Sequence, residues 1–145
     1  MQEIKCEKKQ GTVLNEILIE LHESSDIATA VNTARRVTRD IGFTENKQFL
    51  IASAVSELAT NIVRYAGQGR VIIRVIRAGP EKGIEVIASD NGPGIADLEE
   101  AMREHYSGGK GLGLGLPSVK RIMDEFELDS APEKGTKVTA RKWKR

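Results

Sequence analysis

Between Thr44 and Ala66 the chain carries a helical pattern in which Phe49, Ile51, Ala52, Val55, Leu58, Ala59, Ile62 and Val63 fall on nearly every side. A helix that is apolar round most of its circumference must be covered round most of it, so this one is central and the remaining elements wrap it. Gly67 and Gly69 end it. Glu57 and Asn61 break the pattern. They stand four residues apart and project from one face, one above the other. Asn is a poor helix former and Glu is rarely buried unpaired, so the conflict marks a candidate site. An exposed polar stripe on a surface helix would show the same spacing.

The flanking segments supply the rest of a fold. Ile17, Ile19 and Leu21 alternate with Leu18 and Glu20, as in a half-buried strand. Ser24, Ser25 and Asp26 offer N-caps to a helix carrying Ile27, Ala30, Val31, Ala34, Val37 and Ile41 and stopped by Gly42, with Arg35, Arg36 and Arg39 off its apolar stripe. Strands are expected over Arg70–Arg77 and Ile84–Ser89, joined by the turn-rich residues 79–83. Ala96–Tyr106 reads as a short helix entering a loop. From Leu116 to Phe126, the residues Leu116, Val119, Ile122, Met123 and Phe126 make one helical face, with Pro117 in the first turn. Leu128–Ser130 and Thr136–Trp143 close the chain as strands, with Trp143 expected in the core. Residues 1–11 are read as a loose terminus, and the 145 residues as a single domain. This order predicts an α+β fold, a two-layer sandwich with helices on one face of a mixed or antiparallel sheet.

Composition narrows the function. The 22 Lys and Arg against 21 Asp and Glu leave a net charge of +1, which recommends neither nucleic acid nor an anionic membrane as main partner. Arg70, Arg74, Arg77, Arg141, Lys142, Lys144 and Arg145 are expected to solvate strand edges and to meet an acidic partner. The single cysteine, Cys6, cannot form an internal disulfide, and no apolar run approaches the roughly 20 residues of a spanning helix. A reducing, cytoplasmic setting is the expectation. His22 and His105 are expected at the surface.

Two further segments carry chemistry. Val86 and Ile87 run into Asp90-Asn91-Gly92-Pro93-Gly94, where a carboxylate at a strand end meets a turn that admits positive φ at both glycines. An ionised Asp there can accept from an exocyclic amine and so tell a 6-amino from a 6-oxo purine; an ordinary surface turn has the same residues. Gly108-Gly109-Lys110-Gly111-Leu112-Gly113-Leu114-Gly115 then leads into a helix. Its backbone N–H groups and the Lys110 charge suit phosphates. It is not a P-loop, because Lys110 is followed by Gly111, and it follows no βαβ strand. On the central helix, the Asn61 carboxamide suits an Mg²⁺ that keeps phosphate and water ligands, and Glu57 could take a proton or hold a metal-bound water.

ExxxN on a helix, DxGxG after a strand, GxGxG before a helix and Gly135-Thr136 at a last strand occur in one order. From about Ile17 to Trp143 this order resembles the GHKL (Bergerat-type) ATP-binding fold. The resemblance implies that Glu57 is the catalytic base, that Asn61 holds Mg²⁺, that Asp90 binds the adenine amine and that Thr136 supports the adenine. It also implies that Gly92, Gly94, Ile95, Lys110, Gly111, Leu112, Gly113, Leu114 and Gly115 shape the ATP pocket and its lid.

With no residues left for appended domains, the chain is similar to the stand-alone serine/threonine kinases of bacterial partner-switching systems, which phosphorylate STAS-domain proteins. The contexts Tyr65-Ala66-Gly67 and Leu116-Pro117 resemble the switch kinases of the stressosome more than the anti-sigma factors. The resemblance implies a STAS-domain substrate, with a PP2C-type phosphatase or a sigma factor as further partner, and leaves a homodimer open. The alternatives are an anti-sigma factor that sequesters a sigma factor, and a non-catalytic module that uses ATP only to set its shape.

Overall fold

A computed structural model describes residues 2–4, 11–95, 102 and 115–145. Six strands form one sheet in the order β1-β5-β6-β4-β3-β2, and every described pairing is antiparallel. The strands are β1 (Gln2–Ile4), β2 (Thr12–Leu21), β3 (Gly69–Ala78), β4 (Glu81–Asp90), β5 (Glu125–Ala131) and β6 (Gly135–Trp143). Helices α1 (Ser24–Ile41), α2 (Glu45–Asn61) and α3 (Leu116–Ile122) cover one face. The α+β sandwich expected from the sequence is thus formed, with an antiparallel sheet. Apart from Met102, the predicted helix over Ala96–Tyr106 lies, like Cys6 and His105, outside the described residues.

Side-chain alternation divides the sheet into two faces. Ile19, Val71, Ile73, Val86, Ala88, Val138, Ala140, Phe126 and Leu128 point to the helices, where Ala34, Val37, Ile51, Val55, Leu58 and Val119 complete the core. The start of α1 differs from expectation. Glu23, not a serine, is the N-cap, in a reciprocal capping box with Asp26. The Asp26 carboxylate accepts from the backbone N–H groups of His22 (2.8 Å) and Glu23 (3.1 Å), and these bonds hold its pKa below the ordinary range. Gly42 ends α1 at φ 105°, and the Thr44 hydroxyl caps α2 by accepting from Lys47 N–H.

Three other expectations are corrected. Phe49, expected among the core residues of α2, is 65% exposed: α1, α3 and the sheet cover α2 and leave the side that carries Phe49 open. The last helix stops at Ile122 rather than running to Phe126, because Asp124 is captured by β6. Its N–H donates to the Arg141 carbonyl (2.8 Å), and its carboxylate accepts from Trp143 N–H (2.8 Å). Met123 is accordingly extended, and Phe126 pairs with Ala140 in the sheet. Within the stretch read as loose, Gln2–Ile4 pair with Ser130, Asp129 and Leu128, since the β5 edge offers backbone partners whatever the side chains.

The open face carries a charge ladder. Glu16, Arg74, Glu85, Arg141 and Glu125 are successive register partners across five strands, with alternating sign. Arg74 Nε donates to Glu16 Oε1 (2.6 Å) and its Nη1 to Glu85 Oε1 (3.1 Å), while Arg141 Nε donates to Glu85 Oε2 (2.6 Å). Glu16, foremost, and Glu85 raise the Arg74 pKa above its ordinary value. Arg74 and Arg141 are therefore committed within the sheet rather than offered to a partner. Trp143 is buried, as expected, but on this open face: it covers Gly83, and its indole N–H donates to Glu125 Oε2 (2.5 Å).

Glu85 is buried with both oxygens occupied by guanidinium groups. Glu85→Ala is expected to destabilise the fold by about 3 kcal/mol through the two cations it strands, measured as a fall in the urea midpoint.

Candidate functional site

The described site residues fall into two groups, Glu57, Asn61 and Gly115 at the C-terminal half of α2 and Asp90, Gly92, Gly94 and Thr136 at the ends of β4 and β6, with the turn after α2 between them. After Asn61 the helix widens into one π-helical turn, Ile62–Ala66, closed by Gly67 at φ 83°. Such turns shift side-chain register locally and are frequent at functional sites. This one packs on β3 and β4 and brings Ala66 against the Asp90–Gly94 turn. A Cβ on Gly92 would lie 2.6 Å from Ala66 Cβ. Gly92 is thus required for space rather than for positive φ, which corrects one half of the sequence expectation. Gly94 does take φ 78°, and a Cβ there would stand 2.1 Å from the Ala131 carbonyl oxygen.

Asp90 ends β4 directly opposite Thr136, the second residue of β6. Its Oδ1 accepts from Gly92 N–H (2.8 Å), closing an Asx-type turn. Partial burial raises the carboxyl pKa above the ordinary range, against the lowering effect of N–H groups from Gly92 and Thr136. A cavity of about 240 Å³ opens beside it, lined also by Glu20, His22, Ala66, Arg70 and Asn91.

One residue of this cluster was missed. Ser130 is buried and ties three segments together: its hydroxyl accepts from Ile95 N–H (2.8 Å), donates to the Gly135 carbonyl (3.0 Å) and lies 3.0 Å from Thr136 Oγ1. Period-two counting from Leu128 points Ser130 inward, and an inward hydroxyl at a strand end was the available signal. The tip of the β5–β6 hairpin is fastened to the same turn, since Glu133 N–H donates to the Pro93 carbonyl (2.6 Å).

Glu57 and Gly115 also meet. Glu57 is exposed on α2, and a Cβ on Gly115 would fall 2.1 Å from Glu57 Oε2, so the carboxylate rests against the Gly115 backbone. Gly115, at φ 68°, is the residue from which α3 starts. Asn61, half-buried, stands one turn beyond Glu57 on α2. Lys110, Gly111, Leu112, Gly113 and Leu114 lie outside the described residues. Among the described residues no helix is long and apolar enough to cross a membrane.

A helix-covered antiparallel sheet with this cluster at the end of its central strand defines a nucleotide-binding class. The model of the histidine kinase-like ATPase domain matches residues 22–142, and the chain belongs to that family. It is 45% identical over 120 residues to the serine/threonine-protein kinase RsbT of Bacillus subtilis (strain 168), covering 83% of this chain and 90% of the relative. It is 36% identical over 99 residues to the anti-sigma F factor of Thermoanaerobacter sp. (strain X514), covering 64% of this chain and 68% of that protein. Among solved structures, a chain of the SiaB–SiaC complex from Pseudomonas aeruginosa superposes with a TM-score of 0.55 at 14% identity, over 91% of each chain, and shares the fold. Membership of an ATPase family implies ATP as ligand.

At Gly94 both φ and space exclude a side chain. Gly94→Ala is expected to cost about 3 kcal/mol, seen as a lowered thermal midpoint.

Proposed function

We propose that this chain is an ATP-dependent serine/threonine protein kinase of the switch type, which phosphorylates a STAS-domain protein in a partner-switching pathway. The observation that carries the reading is the exposed Glu57 carboxylate held against Gly115, where the glycine run enters α3 and one turn from Asn61. A base in that position is open to a hydroxyl presented by a folded protein. The similarity to a serine/threonine-protein kinase over most of both chains supports the same chemistry.

In this reading Asp90 accepts from the adenine amine, and Thr136, held by Ser130, supports the ring from the neighbouring strand. The narrow approach between Gly92 and Ala66 lets backbone close on the base. Glu57 accepts the proton of the serine or threonine hydroxyl as its oxygen bonds to the γ-phosphorus, and the bond from that phosphorus to the β-bridging oxygen breaks to release ADP. The residues fit one Mg²⁺: Asn61 offers a single carboxamide oxygen, in keeping with an ion that takes one or two protein ligands and fills its shell with phosphates and water. When bound, Mg²⁺ neutralises charge on the phosphates. N–H groups of the glycine run, with Lys110, would do the same from the lid, and its closure would exclude water as a competing acceptor.

The similarity to an anti-sigma F factor supports a second reading, in which the chain sequesters its partner and ATP sets its shape. Incubation with labelled ATP and a STAS-domain protein separates the two. Glu57→Gln is expected to keep ATP binding and lose phosphotransfer by about 100-fold or more; undiminished transfer removes Glu57 as the base.

Asp90 supplies a pH test. The ionised carboxylate is the stronger acceptor for the amine, and its pKa is raised by burial. ATP affinity should therefore fall on acidification from a higher pH than an ordinary carboxylate would give, whereas Asp90→Asn should bind weakly at all pH values. Titrations showing equal affinity for mutant and parent remove Asp90 from the adenine pocket.

A further inference from the structure

Phe49 and Leu50 are 65% and 41% exposed on the first turns of α2, and nothing in the ATP chemistry uses them. The other large exposed hydrophobics among the described residues, Val13, Leu14 and Leu18, lie on β2. Phe49, Ser53 and Glu57 follow at intervals of four and are all exposed, so they form one continuous strip of helix surface that ends at the proposed base. Eight residues of helix span about 12 Å. A protein interface of ordinary size covers about 800 Å² per partner, a patch of about 16 Å radius. A folded protein whose footprint is centred on Glu57 therefore reaches Phe49 as well. An exposed aromatic ring within such a footprint has the chemistry of an interface anchor.

We propose that Phe49, with Leu50 beside it, is the docking anchor for the phosphoacceptor protein, which lies along the exposed strip of α2 with its serine or threonine over Glu57. The acceptor surface next to the hydroxyl must then carry an apolar pocket or groove about 12 Å away, to receive the ring. This rests on the kinase reading, because it takes Glu57 as the point at which the partner's hydroxyl is fixed. Phe49 acts on partner affinity and not on the transfer step.

The test uses the full chain with ATP and a STAS-domain protein from the same genome. Phe49→Ala, at an exposed position, should raise KM for that protein about tenfold or more while kcat and ATP affinity stay within about twofold. Leu18→Ala, an equally exposed apolar truncation on β2, should leave all three unchanged. The proposal is overturned if Phe49→Ala leaves KM within about twofold of the parent, if Leu18→Ala raises it as much, or if Phe49→Ala alters only self-association. Calorimetry with the acceptor serine or threonine changed to alanine keeps the two readings apart. If the parent transfers no phosphate yet binds in a Phe49-dependent way, the kinase reading fails and the docking surface stands. If the parent binds no STAS-domain protein, the docking proposal falls.

Discussion

The antiparallel pairing of β4 with β3 on one side and β6 on the other is the constraint from which the rest of the molecule follows. Because alternate residues of one strand face opposite ways, β4 serves two environments at once. Its Ile84, Val86 and Ala88 build the helix-side core, while Gly83, Glu85 and Ile87 face the open side. The pairing sets Asp90 against Thr136 at one end and Gly83 under Trp143 at the other. The turn after Asp90 then has only the space left by Ala66, so the helix side and the sheet side of the nucleotide cluster meet within one close contact.

Much of this was legible in the residues. Elements with strong periodicity, such as α1 and the β3–β4 hairpin, are found close to their expected bounds, because local pattern and tertiary packing agree. Motif residues were also legible, since unusual types, Asn within an apolar helix or glycines around an Asp, conflict with the local rule. Where the reading failed, a distant partner decided. Met123 to Phe126 continue a helical pattern, and only the capture of Asp124 by the far end of β6 shows that the chain must turn. Phe49 has the same pattern as Ile51 and Val55, and which side of α2 lies uncovered depends on how α1, α3 and the sheet pack. Ser130 and Thr136 are six apart in sequence, but their meeting needs the β5–β6 register.

The open face invites comparison with the helix face. Burial of apolar groups holds one side of the sheet, whereas the other is held by hydrogen-bonded charges of alternating sign beside a small apolar row, Leu18, Ile72 and Ile87. Buried ion pairs contribute little net stability compared with apolar packing, yet breaking one is costly. Their energetic weight is thus in the penalty for incorrect pairing.

That penalty turns the ladder into a ruler. A slip of one residue between β3 and β4 would carry Glu85 into the apolar core. A slip of two would keep it on the open face but oppose it to Ile72 or Ile76 instead of Arg74, and the same slip against β6 would oppose it to Thr139 or Trp143 instead of Arg141. Of the alignments within two residues of the native one, only the native gives the buried carboxylate a cation on both sides. The same alignment sets Asp90 opposite Thr136, so charges on the side of the sheet away from the helices measure out where the nucleotide cluster falls on the other.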